Sequence, residues 1–116
     1  MKIMALDLGK NNMVACIYDT CKVEHRFDKA PLSPAVVKDF LEFERQDRVV
    51  IEVGASAGWV ADIIREFGAE LEVANTTHEA WRWRNVKKKT DRTDALKLAQ
   101  LSAMQQLPLV HMPVLA

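Results

Sequence analysis

A chain of 116 residues with two cysteines is long enough to bury one core without a disulfide framework, and too short for two ordinary domains. Sixteen basic residues balance sixteen acidic ones, so net charge points to no partner by itself, and no apolar run approaches the ~20 residues of a membrane span. With no secretory pattern ahead of the first apolar run, the expectation is a single domain over 1–116, free of membrane, in the cytoplasm, with Cys16 and Cys21 as reduced thiols.

Lys2 to Leu8 reads as a strand buried on both faces, with Ile3, Ala5 and Asp7 on one side and Met4, Leu6 and Leu8 on the other. Asp7 is out of place there. Gly9, Lys10, Asn11 and Asn12 have the composition of a hairpin turn, so the apolar run Met13 to Tyr18 should return antiparallel. The two asparagines serve the turn, while Lys10 is near enough to Asp7 in sequence to approach a bound phosphate. After a turn at Asp19 to Lys22, Val23 to Phe27 alternates polar and apolar residues as an edge strand does. Ser33 ahead of Pro34 starts a helix, and Val36, Val37, Phe40 and Leu41 recur at helical spacing.

Arg48 to Val53 is a short apolar strand in which Glu52 shares a face with Val50, a second carboxylate where a buried strand should carry none. Gly54, Ala55 and Ser56 break that strand and cap a second helix, whose stripe of Trp59, Val60, Ile63, Ile64 and Phe67 is closed by Gly68. Glu70 to Ala74 forms a fifth strand. A strand, helix, strand sequence implies a parallel pair with a right-handed crossover. The expected fold is therefore α/β, a mixed five-stranded sheet of order 3-2-1-4-5 with strand 2 antiparallel and helices packed on it.

Thr76, Thr77, His78 and Glu79 form a capping-box pattern for a short helix through Trp81 and Trp83. Residues 81 to 97 then carry Arg82, Arg84, Lys87, Lys88, Lys89, Arg92 and Lys97 against only Asp91 and Asp94. Such a segment is either a local anion site, with phosphate backbone its usual partner, or a solvated charged loop. If Asp91 opens a helix, the two aspartates share one face, which suits an N-cap with a favourable dipole or a divalent ion. A helix continues from Ala95 to Met104, and Pro108 and Pro113 end regular structure.

In a sheet of that order Asp7 and Glu52 end neighbouring parallel strands and can face one crevice. Buried without a cation, each would carry a desolvation cost of several kcal/mol. Were the helix from Asp91 to fold back across the same edge, four carboxylates would surround one or two cations, an arrangement suited to phosphodiester chemistry.

Asp7, Leu8 and Gly9 after one apolar strand, Ile51 to Gly54 after another, and Lys89, Thr90, Asp91, Arg92, Thr93, Asp94 and Ala95 resemble, in this order, a known module. It is the N-terminal module of the DEDD transposases of bacterial insertion sequences, which has the ribonuclease-H-like fold of the Holliday-junction resolvase RuvC. The resemblance implies that Asp7, Glu52, Asp91 and Asp94 are the catalytic, metal-binding residues, with Mg²⁺ as the ion and Mn²⁺ as its substitute. It implies DNA as the substrate and DNA transposition as the activity. Arg82, Arg84, Lys87, Lys88, Lys89 and Arg92 would then bind the nucleic-acid backbone, and Trp81 and Trp83 would stack on exposed bases or pack within the protein. The family continues into a C-terminal domain that supplies a serine for strand cleavage, and it resembles RNA-guided recombinases that assemble as oligomers. A guide RNA and further copies of the chain are thus candidate partners, and the module alone is expected to be incompetent for strand exchange.

Three other readings stand beside that one. The same carboxylates would serve a stand-alone resolvase-like nuclease with water as nucleophile, and a fragment could bind nucleic acid or dimerise without catalysis. An ATP-binding module of the sugar-kinase type needs a second glycine-rich turn, for which four glycines leave little room. His25, His78 and His111 have no partner at catalytic or metal spacing.

Overall fold

The computed structural model describes residues 1–22, 24–43, 45–75 and 91–109, with backbone alone for 91–94. The elements follow as β1 (Lys2–Leu8), β2 (Asn12–Asp19), β3 (Glu24–Pro31), α1 (Pro34–Phe43), β4 (Arg48–Glu52), α2 (Ala57–Glu66), β5 (Glu70–Ala74) and α3 (Asp91–Ala103). They build one sheet of order β3-β2-β1-β4-β5, antiparallel across β3-β2-β1 and parallel across β1-β4-β5. The architecture is the expected one. β3 runs further than its alternation suggested, because β2 pairs with it along its whole length, from Asp19 beside Glu24 to Asn12 beside Pro31.

The period of two along the strands divides the core into two layers. Met4, Leu6, Met13, Ala15, Ile17, Val49 and Ile51 point to α1 and α2, meeting Val37, Leu41, Val60 and Ile64. Ile3, Ala5, Val14, Cys16 and Val50 point the other way and are covered by Ala95, Leu98, Ala99 and Leu101 of α3. Ala5, Cys16, Ala95 and Ala99 place small side chains among the larger Ile3, Leu98 and Leu101 in that second layer.

The turns show why particular residues are needed. The Gly9 N–H donates to the Asn12 carbonyl at 2.9 Å, and a Cβ at Gly9 would lie 2.7 Å from that oxygen, so the β1-β2 turn has no room for a side chain. Ser33 caps α1 as expected, its hydroxyl accepting from the Val36 N–H at 3.3 Å. Ser56 does not cap α2: its φ of −91° and ψ of −7° are helical, and no side-chain cap bond forms. The extended backbone that aims a capping oxygen at the first turn is missing there. Gly68, at φ 75°, takes the left-handed position after α2. Trp59, expected in the core, packs against it half-buried.

At the end of α3 the Gln106 N–H donates to the Leu101 carbonyl and the Gln105 N–H to that of Ser102, at 2.9 and 3.0 Å. This is a Schellman cap, with Gln105 left-handed at φ 56° where glycine is the usual occupant. Gln105→Gly should therefore raise stability by roughly 0.5–1 kcal/mol, read as a higher urea midpoint with unchanged slope.

Both cysteines are free, Cys16 buried and Cys21 exposed. Burial pushes the Cys16 thiol from 9.0 up to about 11. At pH 8 a thiol-specific reagent should thus label one cysteine per native chain and two after denaturation, a ratio that mass spectrometry reads directly. The raised value also means that the folded chain holds this proton more tightly than the unfolded one. Its contribution to stability is complete below pH 9 and is lost as pH rises towards about 11.

Candidate functional site

Strand parity fixes where the two unexpected carboxylates point. Asp7 belongs to the Ile3 and Ala5 side of β1, and Glu52 to the Val50 side of β4, and both sides face α3. The β1-β4 register ends with Leu6 beside Ile51, so Asp7 and Glu52 stand level one residue further on. Their strands are neighbours, about 4.8 Å apart in such a sheet. Asp7 is 8% exposed, and Glu52 is partly exposed.

The loops leaving these strands form the surroundings. Leu8, Gly9 and Lys10 on one side and Val53 to Ala57 on the other enclose a cleft of about 340 Å³ that Glu52 also lines. Lys10 is among the residues lining it, and Asp7 is not.

The opposite end of β4 holds α3 in place. Arg48, 8% exposed, donates from Nη1 to the carbonyl and the hydroxyl of Ser102, at 3.1 and 3.2 Å. The fully buried Ser102 hydroxyl in turn donates to the Glu72 carboxylate. Arg48 Nη1 lies 3.9 Å from Glu72, and its Nε 3.1 Å from Glu70, at ion-pair distance without hydrogen-bond alignment. A cation at the last turn of a helix also meets the negative end of its dipole. At about 1.5 Å per residue, Asp91 starts the helix some 16 Å along its axis from Ser102, and Asp94 follows one turn later.

The side chains of Asp91, Arg92 and Asp94 lie outside the described residues, as do Arg82, Arg84, Lys87, Lys88, Lys89, Trp81, Trp83, His78, His111 and the capping box at Thr76 to Glu79. Among the described residues no group of three His, Cys, Asp or Glu side chains gathers to hold a metal ion. The structure therefore brings together two of the four proposed ligands. His25 is exposed on β3, its ring edge-on to Phe27 at 5.4 Å. No described helix is long and apolar enough to cross a membrane.

No protein-family model matches the chain, and no curated protein matches it in sequence. Among solved structures it is similar to RuvC of Thermus thermophilus, with 15% identity and a TM-score of 0.60 over 95% of this chain and 100% of that one. The fold is RuvC-like. The Lmo2764 protein of Listeria monocytogenes aligns over 65% of this chain and 35% of its own, at 17% identity and a TM-score of 0.47, too low to carry an argument.

On this RuvC-like sheet Asp7 and Glu52 occupy the carboxyl ends of adjacent parallel strands, the rim at which open α/β sheets present ligands. Two acidic side chains rising level from neighbouring strands supply hard oxygen donors, the chemistry that suits Mg²⁺ or Mn²⁺. The residues present fit such an ion. Reading the sequence overlooked Arg48, Glu72 and Ser102, which anchor α3. Arg48 has the same parity as Val50 and Glu52, so a third charged position on that face was there to be noticed.

Proposed function

We propose that this chain is the metal-binding module of a DNA-processing enzyme of the transposase and recombinase type. Asp7 and Glu52, with Asp91 and Asp94 at the start of α3, would hold the ions. The observation that carries the reading is the level placement of Asp7 and Glu52 on the face that α3 covers. With its last turn held at the far end of β4, α3 is long enough to bring its first turn to the carboxylate rim. Bound divalent ions would supply an activated attacking oxygen and neutralise charge on the phosphodiester. The chain's own part is to fix the donor oxygens on rigid strands and to guide the nucleic-acid backbone with Lys10 and the basic residues Arg82, Arg84, Lys87, Lys88, Lys89 and Arg92. The transposase assignment rests on the ordered motifs around Asp7, Glu52 and Asp91. It further proposes a second domain carrying the serine, an oligomeric assembly, and a guide RNA as partner.

A second reading has one observation in its favour. This chain covers the whole of the Thermus thermophilus RuvC chain, so a stand-alone resolvase-like nuclease is a coherent alternative. Incubation with four-way branched and linear duplex DNA in Mg²⁺ separates the two. Cleavage of the branched DNA alone, lost in Glu52→Gln, would favour the nuclease; Mn²⁺-dependent DNA binding without cleavage would favour the module. A chain that binds neither Mn²⁺ nor DNA would defeat both.

A further inference from the structure

The cleft at the carboxylate rim crosses from one face of the sheet to the other. Leu8 and Ala57, which line it, belong to the core layer under α1 and α2, whereas Glu52, which lines it too, has the strand parity of the face that α3 covers. Asp7 takes no part in it. The cleft therefore begins beside one of the two carboxylates and leads away from the other, over the rim.

Its walls are two loops. The β1-β2 turn contributes Gly9 and Lys10, and the segment between β4 and α2 contributes Gly54 and Ser56. A serine ahead of a helix ordinarily turns its hydroxyl to an N–H of the first turn. Ser56 does not: its backbone is helical and its side chain makes no cap bond, while its carbonyl is taken by the Val60 N–H at 3.2 Å. A half-buried hydroxyl that gives nothing to its own helix is a donor that an occupant of the cleft can use.

The charges say which occupant fits. Among the residues lining the cleft Lys10 is the one cation and Glu52 the one anion, so a divalent ion on Glu52 would leave the cleft positive. A lysine ammonium on one wall and a hydroxyl on the other are donors suited to phosphate oxygens. At about 340 Å³ the cleft lies at the small end of the range of about 300–1,000 Å³ for small-molecule sites, the scale of a single nucleotide and not of a duplex.

We propose that this cleft is a second phosphate subsite, in which Lys10 and Ser56 grip from opposite walls the phosphate next to the one held at the carboxylates. The inference rests on the metal-binding reading above and adds to it the course of the strand, which passes over the rim from the α3 side to the side of α1 and α2. Holding the neighbouring phosphate fixes the scissile one against the ions, which is how binding away from the reacting bond assists it.

The test is binding of four-way branched DNA in Mn²⁺ by the full chain, followed by fluorescence anisotropy beside Mn²⁺-dependent melting. Ser56→Ala deletes the hydroxyl without deleting a cap bond, so it should not lower the urea midpoint, should keep the Mn²⁺-induced rise in melting temperature, and should weaken DNA binding about tenfold. Ser56→Thr returns a hydroxyl and should recover most of that loss. Lys10→Gln should weaken binding and lower the slope of log K against log salt by about one, a slope that Ser56→Ala leaves alone. Because both groups hold one phosphate, the double variant should lose less than the two single losses combined. Parent-like DNA affinity in Ser56→Ala would overturn the subsite, as would loss of its Mn²⁺ response, which would mean that Ser56 acts through the metal centre. A parent chain that takes up Mn²⁺ but binds no DNA would overturn the subsite and leave the metal reading standing; one that does neither would overturn both.

Discussion

Asp7→Asn is expected to abolish the rise in melting temperature that Mg²⁺ or Mn²⁺ gives the parent chain. An ion that binds the folded state alone stabilises it by about 2.7 kcal/mol at a hundredfold excess over its dissociation constant. For a domain of this size that is a shift on the order of 10 °C. Asparagine preserves the shape of the side chain in a site only 8% exposed and removes the charge that a hard cation requires. Loss of a direct ligand should weaken the ion by on the order of 100-fold or more, since outer partners of metal ligands alone account for 10–100-fold. Differential scanning fluorimetry with and without metal reads the effect. Glu66→Gln, on the exposed end of α2, should respond to metal like the parent. If Asp7→Asn still shows the full rise, the ion sits elsewhere and the proposed function loses its central support.

Arg48→Met should destabilise the chain by about 3 kcal/mol, the largest stability effect expected of any substitution outside the apolar core. Methionine fills the space of the arginine stem but leaves the Glu72 carboxylate and the Ser102 hydroxyl without the cation that joins them. Glu70 is half exposed and water can solvate it, so the cost comes from Glu72 and the Ser102 groups. A lower urea midpoint measures the cost, and hydrogen exchange should speed up in α3 before β1 and β4. Ser102→Ala acts on the same network, so the double variant should cost less than the two single effects added together. If α3 presents Asp91 and Asp94 to the carboxylate rim, Arg48→Met should also weaken Mn²⁺ binding while Asp7 and Glu52 remain unaltered.

The order of the strands was legible because each carries an apolar run with clear turn chemistry at its ends, and because the β4-α2-β5 crossover admits one hand. The pairing of Asp7 with Glu52 was legible for the same reason: strand parity and parallel register are arithmetic once the order is known. Capping at Ser56 was not, since it depends on a backbone angle that the residue type does not determine. Nor was the role of Arg48. An arginine at the first position of a strand reads as a solvent-facing end, and only the packing of α3, far along the chain, makes it a buried anchor. The length of β3 was hidden by its charges, which look like a loop until a full-length partner strand is known.

α3 lies across β1 and β2, the first described hairpin of the chain, yet among the described helices it is the last to be synthesised. The hairpin can close as soon as it leaves the ribosome, but Ile3, Ala5, Val14 and Cys16 keep a bare apolar face until residues beyond 95 emerge. That interval makes the nascent β1-β2 surface a natural target for chaperones, and it makes docking of the closing helix, a contact between distant parts of the chain, the step expected to limit the rate of folding.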